Sequence, residues 1–139
     1  DFMANITLRL VKGSSLTYQE LDDNMSNLNS FKVEGRSGSL TTTATTANQV
    51  VDTVSASTIR TLRYIIQASN STLSSYHTTS VMLIHDGTTV YLTEYATVMT
   101  GNSLATFDAD ISGGNLRLLV TPANASSTVF KFSAMTVAV

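Results

Sequence analysis

The sequence predicts a mainly β protein: an antiparallel β-sandwich or jelly-roll-like domain of about seven strands, preceded by a short strand, one short amphipathic helix and an extended connector. Three observations lead there. About forty of the 139 residues are Ser or Thr, and Val is frequent; β-branched side chains keep few rotamers and pack well on a pleated surface. Lys and Glu are few and proline occurs once, so the chain lacks the usual surface helix formers. From about Gln49 onward, short apolar or alternating runs are separated by clusters of Gly, Asn, Asp and Ser, which is the punctuation of strands and tight turns. A chain of this length has room for one sizeable core and not for a second.

Residues 1–46 are expected to form an N-terminal attachment arm and residues 47–139 the β-sandwich domain. Asp1 and Phe2 stand ahead of Met3, the expected natural start. In "NITLRLV", Ile6, Leu8 and Leu10 alternate with Asn5, Thr7 and Arg9, the two-residue period of a half-buried strand, and "KGSS" ends it. "LTYQELDDNMSNLNSF" then predicts a helix over 17–29. Thr17 as N-cap with Glu20 three residues later makes a capping box, and Leu16 before the cap can staple onto Leu21. Asp22 and Asp23 lie near the first turn, where the helix dipole favours negative charge. Tyr18, Leu21, Met25 and Leu28 recur at helical spacing and form one narrow stripe. So short a helix is marginal alone in water, so the stripe needs its own domain, a symmetry mate or another protein to lie against. "EGRSGS" and "LTTTATTANQ" hold glycine and hydroxyl residues with few large apolar side chains, and read as an extended connector.

Strands are predicted near 48–55, 60–68, 76–85, 88–98, 104–111, 115–121 and 128–138, joined through "SNSTLSS", "DG", "TGNS", "SGGN" and "PANASS". Ile59, Leu62 and Ile66 are also spaced for a helix, a reading opposed by the β-rich Tyr64-Ile65-Ile66 run. The clearest hairpin is "VMLIHDGTTVYLTEYATV". With Asp86-Gly87 as a two-residue turn, His85 pairs with Thr88, Leu83 with Val90 and Val81 with Leu92. Val81, Leu83, Val90 and Leu92 then share one face, and Met82, Ile84, Tyr91 and Tyr95 the other.

His85, Asp86 and Glu94 in that hairpin are residue types of metal sites and acid–base pairs, but this register separates His85 from Glu94 by roughly 20 Å. His77, eight residues before His85, is about 26 Å from it along an extended strand. "DADISGGN" sets Asp108, Asp110 and Ser112 before Gly113 like the start of a calcium loop, yet the position where an EF-hand needs a bidentate Glu is Leu119. No nucleophile elbow, P-loop or dinucleotide fingerprint occurs, and without cysteine there are no disulfides or thiolate zinc sites. No catalytic, cofactor-binding or metal site is predicted, and an enzyme is the weakest reading. A net charge of −2 with 13% charged residues argues against nucleic-acid binding. No apolar run approaches the ~18 residues of a membrane span. The sequons at Asn5, Asn24, Asn70 and Asn124 are what chance gives in so Asn-, Ser- and Thr-rich a chain. Tyr64, Tyr76, Tyr91 and Tyr95 could stack on carbohydrate, although such residues more often pack a sandwich face or an interface.

The segment "LRLVKGSSLTYQELDDNMSNLNS" resembles the N-terminal segment of bacteriophage tail-fibre and virion structural proteins. Lys12, Gly13, Leu16, Thr17, Glu20, Leu21, Asp22, Asn24, Met25, Asn27 and Leu28 carry the match, with Met25 where Phe is commoner. The remainder, including "LIHDGTTVYLTEYATV" and "LATFDADISGGNLRLLVTPANA", is similar to β-rich domains of phage virion proteins, those of cyanobacterial phages among them. The resemblance implies a non-enzymatic virion protein without cofactors, its exposed β domain attached through the arm to capsid or tail proteins. It also implies a homotrimer, with Leu16, Tyr18, Leu21, Met25 and Leu28 as the contact residues around the axis. The motif favours a tail fibre or appendage; the lack of repeats or a long stalk favours a capsid decoration (cement) protein. The alternative is a small carbohydrate-binding module for a bacterial surface glycan.

Overall fold

The computed structural model describes residues 13–30 and 35–139, with side chains omitted for 27–30. The strand expected at 5–10 therefore lies outside the described residues. The chain divides into two compact units, one up to residue 33 and one comprising 34–139. The first contains α1 (Tyr18–Ser30), and its start is closed as the capping box requires. The Glu20 amide donates to Thr17 Oγ1 (3.2 Å), while the Thr17 amide donates to the Glu20 carboxylate (2.8 Å). Two amides that the helix cannot satisfy internally thereby gain acceptors.

The second unit is a two-sheet antiparallel sandwich. Its strands are β1 (Gly35–Thr42), β2 (Gln49–Ser55), β3 (Ile59–Asn70), β4 (Ser75–His85), β5 (Val90–Met99), β6 (Ala105–Ser112), β7 (Asn115–Pro122) and β8 (Thr128–Ala138). The sheet orders are β1-β8-β3-β4-β5 and β2-β7-β6. Alternation explains the packing: Leu62, Tyr64, Ile66 and Ala68 of β3 turn inward with Val81 and Leu83 of β4 and Phe130 and Phe132 of β8. They meet Val51, Val54, Leu116, Leu118 and Val120 of the smaller sheet. Ile59, Leu62 and Ile66 thus belong to a strand and not to a helix. The seven predicted strands are present, and β1 is an eighth.

β1 occupies what the sequence suggests is connector. It pairs with β8 from Gly35 opposite Met135 to Thr42 opposite Thr128. Gly38 lies so close to the Phe132 ring that an added Cβ would be 2.8 Å from it. The hairpin at Asp86 keeps the predicted faces but not the predicted register. His85 pairs with Val90, Leu83 with Leu92 and Val81 with Glu94, so the turn spans four residues, not two. A two-residue turn does occur at Gly113-Gly114, where φ is 57° and 79°, the left-handed conformation that glycine adopts without steric cost.

One polar cluster joins the two sheets. A bulge between Val50 and Asp52 turns both Val51 and Asp52 inward. The Asp52 carboxylate accepts two bonds from Arg36 of β1, from Nε at 2.8 Å and from Nη2 at 2.6 Å. The Tyr64 hydroxyl of β3 donates to the same carboxylate at 2.8 Å. Burial, and then the Asp52 charge, push the Tyr64 phenol far above its ordinary range, so it serves as a fixed donor. Asn70, also fully buried, donates to Ser126 and Thr128 and accepts from the Leu73 amide, closing the β3–β4 turn.

Removing Asp52 strips the buried Tyr64 hydroxyl of its acceptor and releases Arg36, whose side chain is 36% exposed and stays solvated. Asp52→Ala, which removes the acceptor of three bonds, is expected to cost about 3 kcal/mol in urea unfolding, whereas Tyr64→Phe, which removes one donor to a charged group, costs about 1.5 kcal/mol. Equal, small losses in both variants would show that the cluster does not hold the sheets together.

Candidate functional site

The residues that look most like chemistry are committed to the backbone. Asp86 Oδ1 accepts from the amides of Thr89 (2.8 Å) and Thr88 (2.9 Å) and from the Thr88 hydroxyl (3.0 Å). These bonds, the Thr89 amide first, hold its pKa down to about 2, so it is an ionised turn cap and no proton donor at neutral pH. They also explain the four-residue turn, because one carboxylate collects both amides. His85 is 3% exposed. Its Nδ1 accepts from the Gly87 amide (3.0 Å), so the ring proton sits on Nε2 and is donated to the Ile59 carbonyl (2.6 Å). Glu94 stands opposite Val81, four residues along the strand from His85, and accepts from the Thr79 hydroxyl at 2.9 Å. A bulge with Ala96 at φ 55° adjoins it, and Thr97 Oγ1 lies 2.8 Å from Thr79 Oγ1.

His77, also 3% exposed, accepts at Nδ1 from the Leu104 amide (3.2 Å) and packs edge-on against Phe107. Its Nε2 is buried with no hydrogen-bond partner. Desolvation lowers its pKa, partly opposed by the negative charge of Glu94. Asp110 is tied across the strands to Arg117 by two bonds, and Asp108 accepts from the Ala109 amide. Among the described residues no three His, Cys, Asp or Glu side chains converge as a metal site would need.

Several large apolar side chains remain exposed. On α1, Tyr18, Leu21 and Met25 are 91%, 48% and 64% accessible, and Leu16 is half-buried. The Leu28 side chain lies outside the described ones. The outer face of the larger sheet carries a second apolar surface, ordered by register. Val137, Thr61, Ile84 and Tyr91 form one row; Met135, Arg63, Met82 and Thr93 the next; Ser133, Ile65, Ser80 and Tyr95 a third. Val137, Met135, Ile65, Met82, Ile84 and Tyr91 are all exposed, and Arg63 is the one charged residue in the three rows. Large exposed apolar side chains gathered on one sheet face mark an interaction surface more often than singly scattered ones do. Sequence reasoning placed Met82, Ile84 and Tyr91 together on one face but not Met135 and Val137, whose strand pairs with β3 from sixty residues away and more. Of the four tyrosines of the β domain, Tyr64 is buried, Tyr95 half-buried, and Tyr76 and Tyr91 are exposed eight β4 positions apart.

No protein-family model and no curated protein matches the sequence. Among solved structures, the chain is similar to the tailspike protein of Acinetobacter phage vB_ApiP_P1, at 12% identity and a TM-score of 0.40, over 78% of this chain and 22% of that one. It is also similar to the tailspike protein of Acinetobacter baumannii phage AM24, at 11% identity and a TM-score of 0.39, over 75% of this chain and 26% of that one. The chain therefore spans about a quarter or less of the length of those proteins. Neither likeness assigns a role to a residue of this chain.

Because the His77 pKa is lowered in the folded state, the unfolded chain binds the proton first as pH falls below the unfolded value of about 6.5. The stability that neutral His77 confers is present above that pH and lost below it. The urea midpoint is therefore expected to fall between about pH 7 and pH 5, and His77→Gln, which keeps an acceptor for Leu104, to flatten that fall. An unchanged slope in the variant would assign the dependence elsewhere.

Proposed function

We propose that this chain is a non-enzymatic structural protein of a bacteriophage virion, with an exposed β domain attached through the N-terminal arm to the capsid or tail. It serves there as a tail-fibre or appendage component or as a capsid decoration protein. The observation that carries this reading is the arm: the segment from Lys12 to Leu28 bears the virion-protein motif, and its helix starts through a complete capping box while Tyr18, Leu21 and Met25 stay exposed. A stripe of that kind on a helix of 13 residues is explained by a partner that covers it. In a homotrimer, Leu16, Tyr18, Leu21, Met25 and Leu28 of three copies would meet around the axis. The apolar band on the outer sheet face supports the same reading, because a particle offers neighbouring protein surfaces to cover it. The carboxylates and imidazoles described above cap turns and bridge strands, which leaves the β domain's chemistry structural.

Leu21→Asp combined with Met25→Asp is expected to abolish oligomer formation or docking while leaving the β domain folded, since neither residue belongs to its core. Sedimentation velocity with far-UV circular dichroism reads both properties. An unchanged oligomer together with undiminished incorporation into particles would contradict the assignment of the arm.

A further inference from the structure

We propose that the end of the β domain formed by the β3–β4 turn and the β5–β6 loop is a binding cleft for an uncharged saccharide chain, with Tyr76 as its stacking platform. Tyr76 opens β4 on the outer sheet face and is 51% exposed. It lines a cavity of about 290 Å³ with Gln67 and Ser69 of β3 and with Val98 and Thr100. A second cavity, of about 430 Å³, is lined by Ser75, Asn102, Ser103 and Asn124. The two are lined by different residues. The Tyr76 amide donates to Thr100 Oγ1 (2.9 Å) and the Thr100 amide to the Tyr76 carbonyl (2.9 Å). Beside them, Gly101 approaches Ser75 so closely that a Cβ would lie 3.0 Å from its hydroxyl oxygen. Strand and loop are thus locked together beside Tyr76.

The lining chemistry selects the ligand class. Neither cavity is lined by Asp, Glu, Lys or Arg, so a phosphate or carboxylate would find no counter-charge there. The remaining imidazole in the lining, that of His77, accepts at Nδ1 from the Leu104 amide, and its Nε2 is buried. An apolar ligand would leave the amide and hydroxyl groups desolvated without partners. Gln67 Nε2 donates to Ser69 Oγ, so its carbonyl oxygen accepts from a ligand while the Ser69 hydroxyl donates to one. Asn102 and Asn124 extend the same neutral donor–acceptor pattern along the second cavity. A sugar ring matches this arrangement, offering a C–H face to the Tyr76 ring and hydroxyls at its edge. Tyr91, the other exposed tyrosine of the β domain, lacks these neighbours: it stands on the outer sheet face and its hydroxyl donates to Asp86 (3.3 Å). This inference does not depend on attachment to a particle.

The test is amide-shift NMR titration of the whole chain with cellohexaose, maltohexaose, mannohexaose and chitohexaose, alongside an array of neutral bacterial surface glycans and hyaluronan as the anionic comparison. At least one neutral glycan is expected to shift residues 67–78 and 98–103. Tyr76→Ala should weaken that binding about tenfold, the loss of one stacking contact. Tyr76→Phe should retain it and Tyr91→Ala leave it unchanged. Gln67→Ala gives an independent reading if Tyr76→Ala proves misfolded. No perturbation by any neutral glycan at about 10 mM, where even a Kd of about 10 mM would half-saturate the site, overturns the proposal. So does binding that survives both Tyr76→Ala and Gln67→Ala, or a preference for hyaluronan.

Discussion

A single carboxylate between two sheets organises the β domain. Asp52 is buried, and an ionised acid in that position is tolerable only because three donors surround it, two from Arg36 and one from Tyr64. Those donors belong to β1 and β3 of the larger sheet, whereas Asp52 belongs to β2 of the smaller one. The cluster thus fixes how the sheets face each other and explains why β1 belongs to the domain. With Leu40 as its one large apolar side chain, β1 has little to bury; backbone pairing with β8 and the Arg36 fork hold it in place. Phe132, edge-on to Tyr64 at 5.5 Å and pressed against Gly38, completes the packing around the cluster.

The strands were legible because their apolar residues alternate, and alternation survives errors of register. The Asp86 hairpin shows the limit. Its faces follow from parity, but the pairing is shifted by two residues because the Asp86 side chain gathers the Thr88 and Thr89 amides into a longer turn. Dipeptide preference for a tight turn does not contain that competition. β1 was hidden for a different reason: "GRSGSLTT" has no periodic apolar signal, and its strand state comes from a partner more than eighty residues away. Arg36, Asp52 and Tyr64 carry no local pattern that joins them, since the link is made only when the sheets close.

The candidate site shows the same division. His85, Asp86 and Glu94 attract notice by residue type, yet each is occupied by backbone or hydroxyl groups. The remaining surfaces include exposed apolar side chains and neutral amide and hydroxyl groups. The helix start was readable residue by residue because a capping box is local. The outer apolar band was not, because it is assembled from β8, β3, β4 and β5 by register.

The virion reading is tested most directly by the location and copy number of this chain in purified phage particles, determined by cryo-electron microscopy with quantitative mass spectrometry. Density for a two-sheet domain projecting from regular capsid sites, or from the tail in a few copies, is the predicted result; the first identifies decoration and the second an appendage. A chain that is made during infection but is absent from the particles would contradict it.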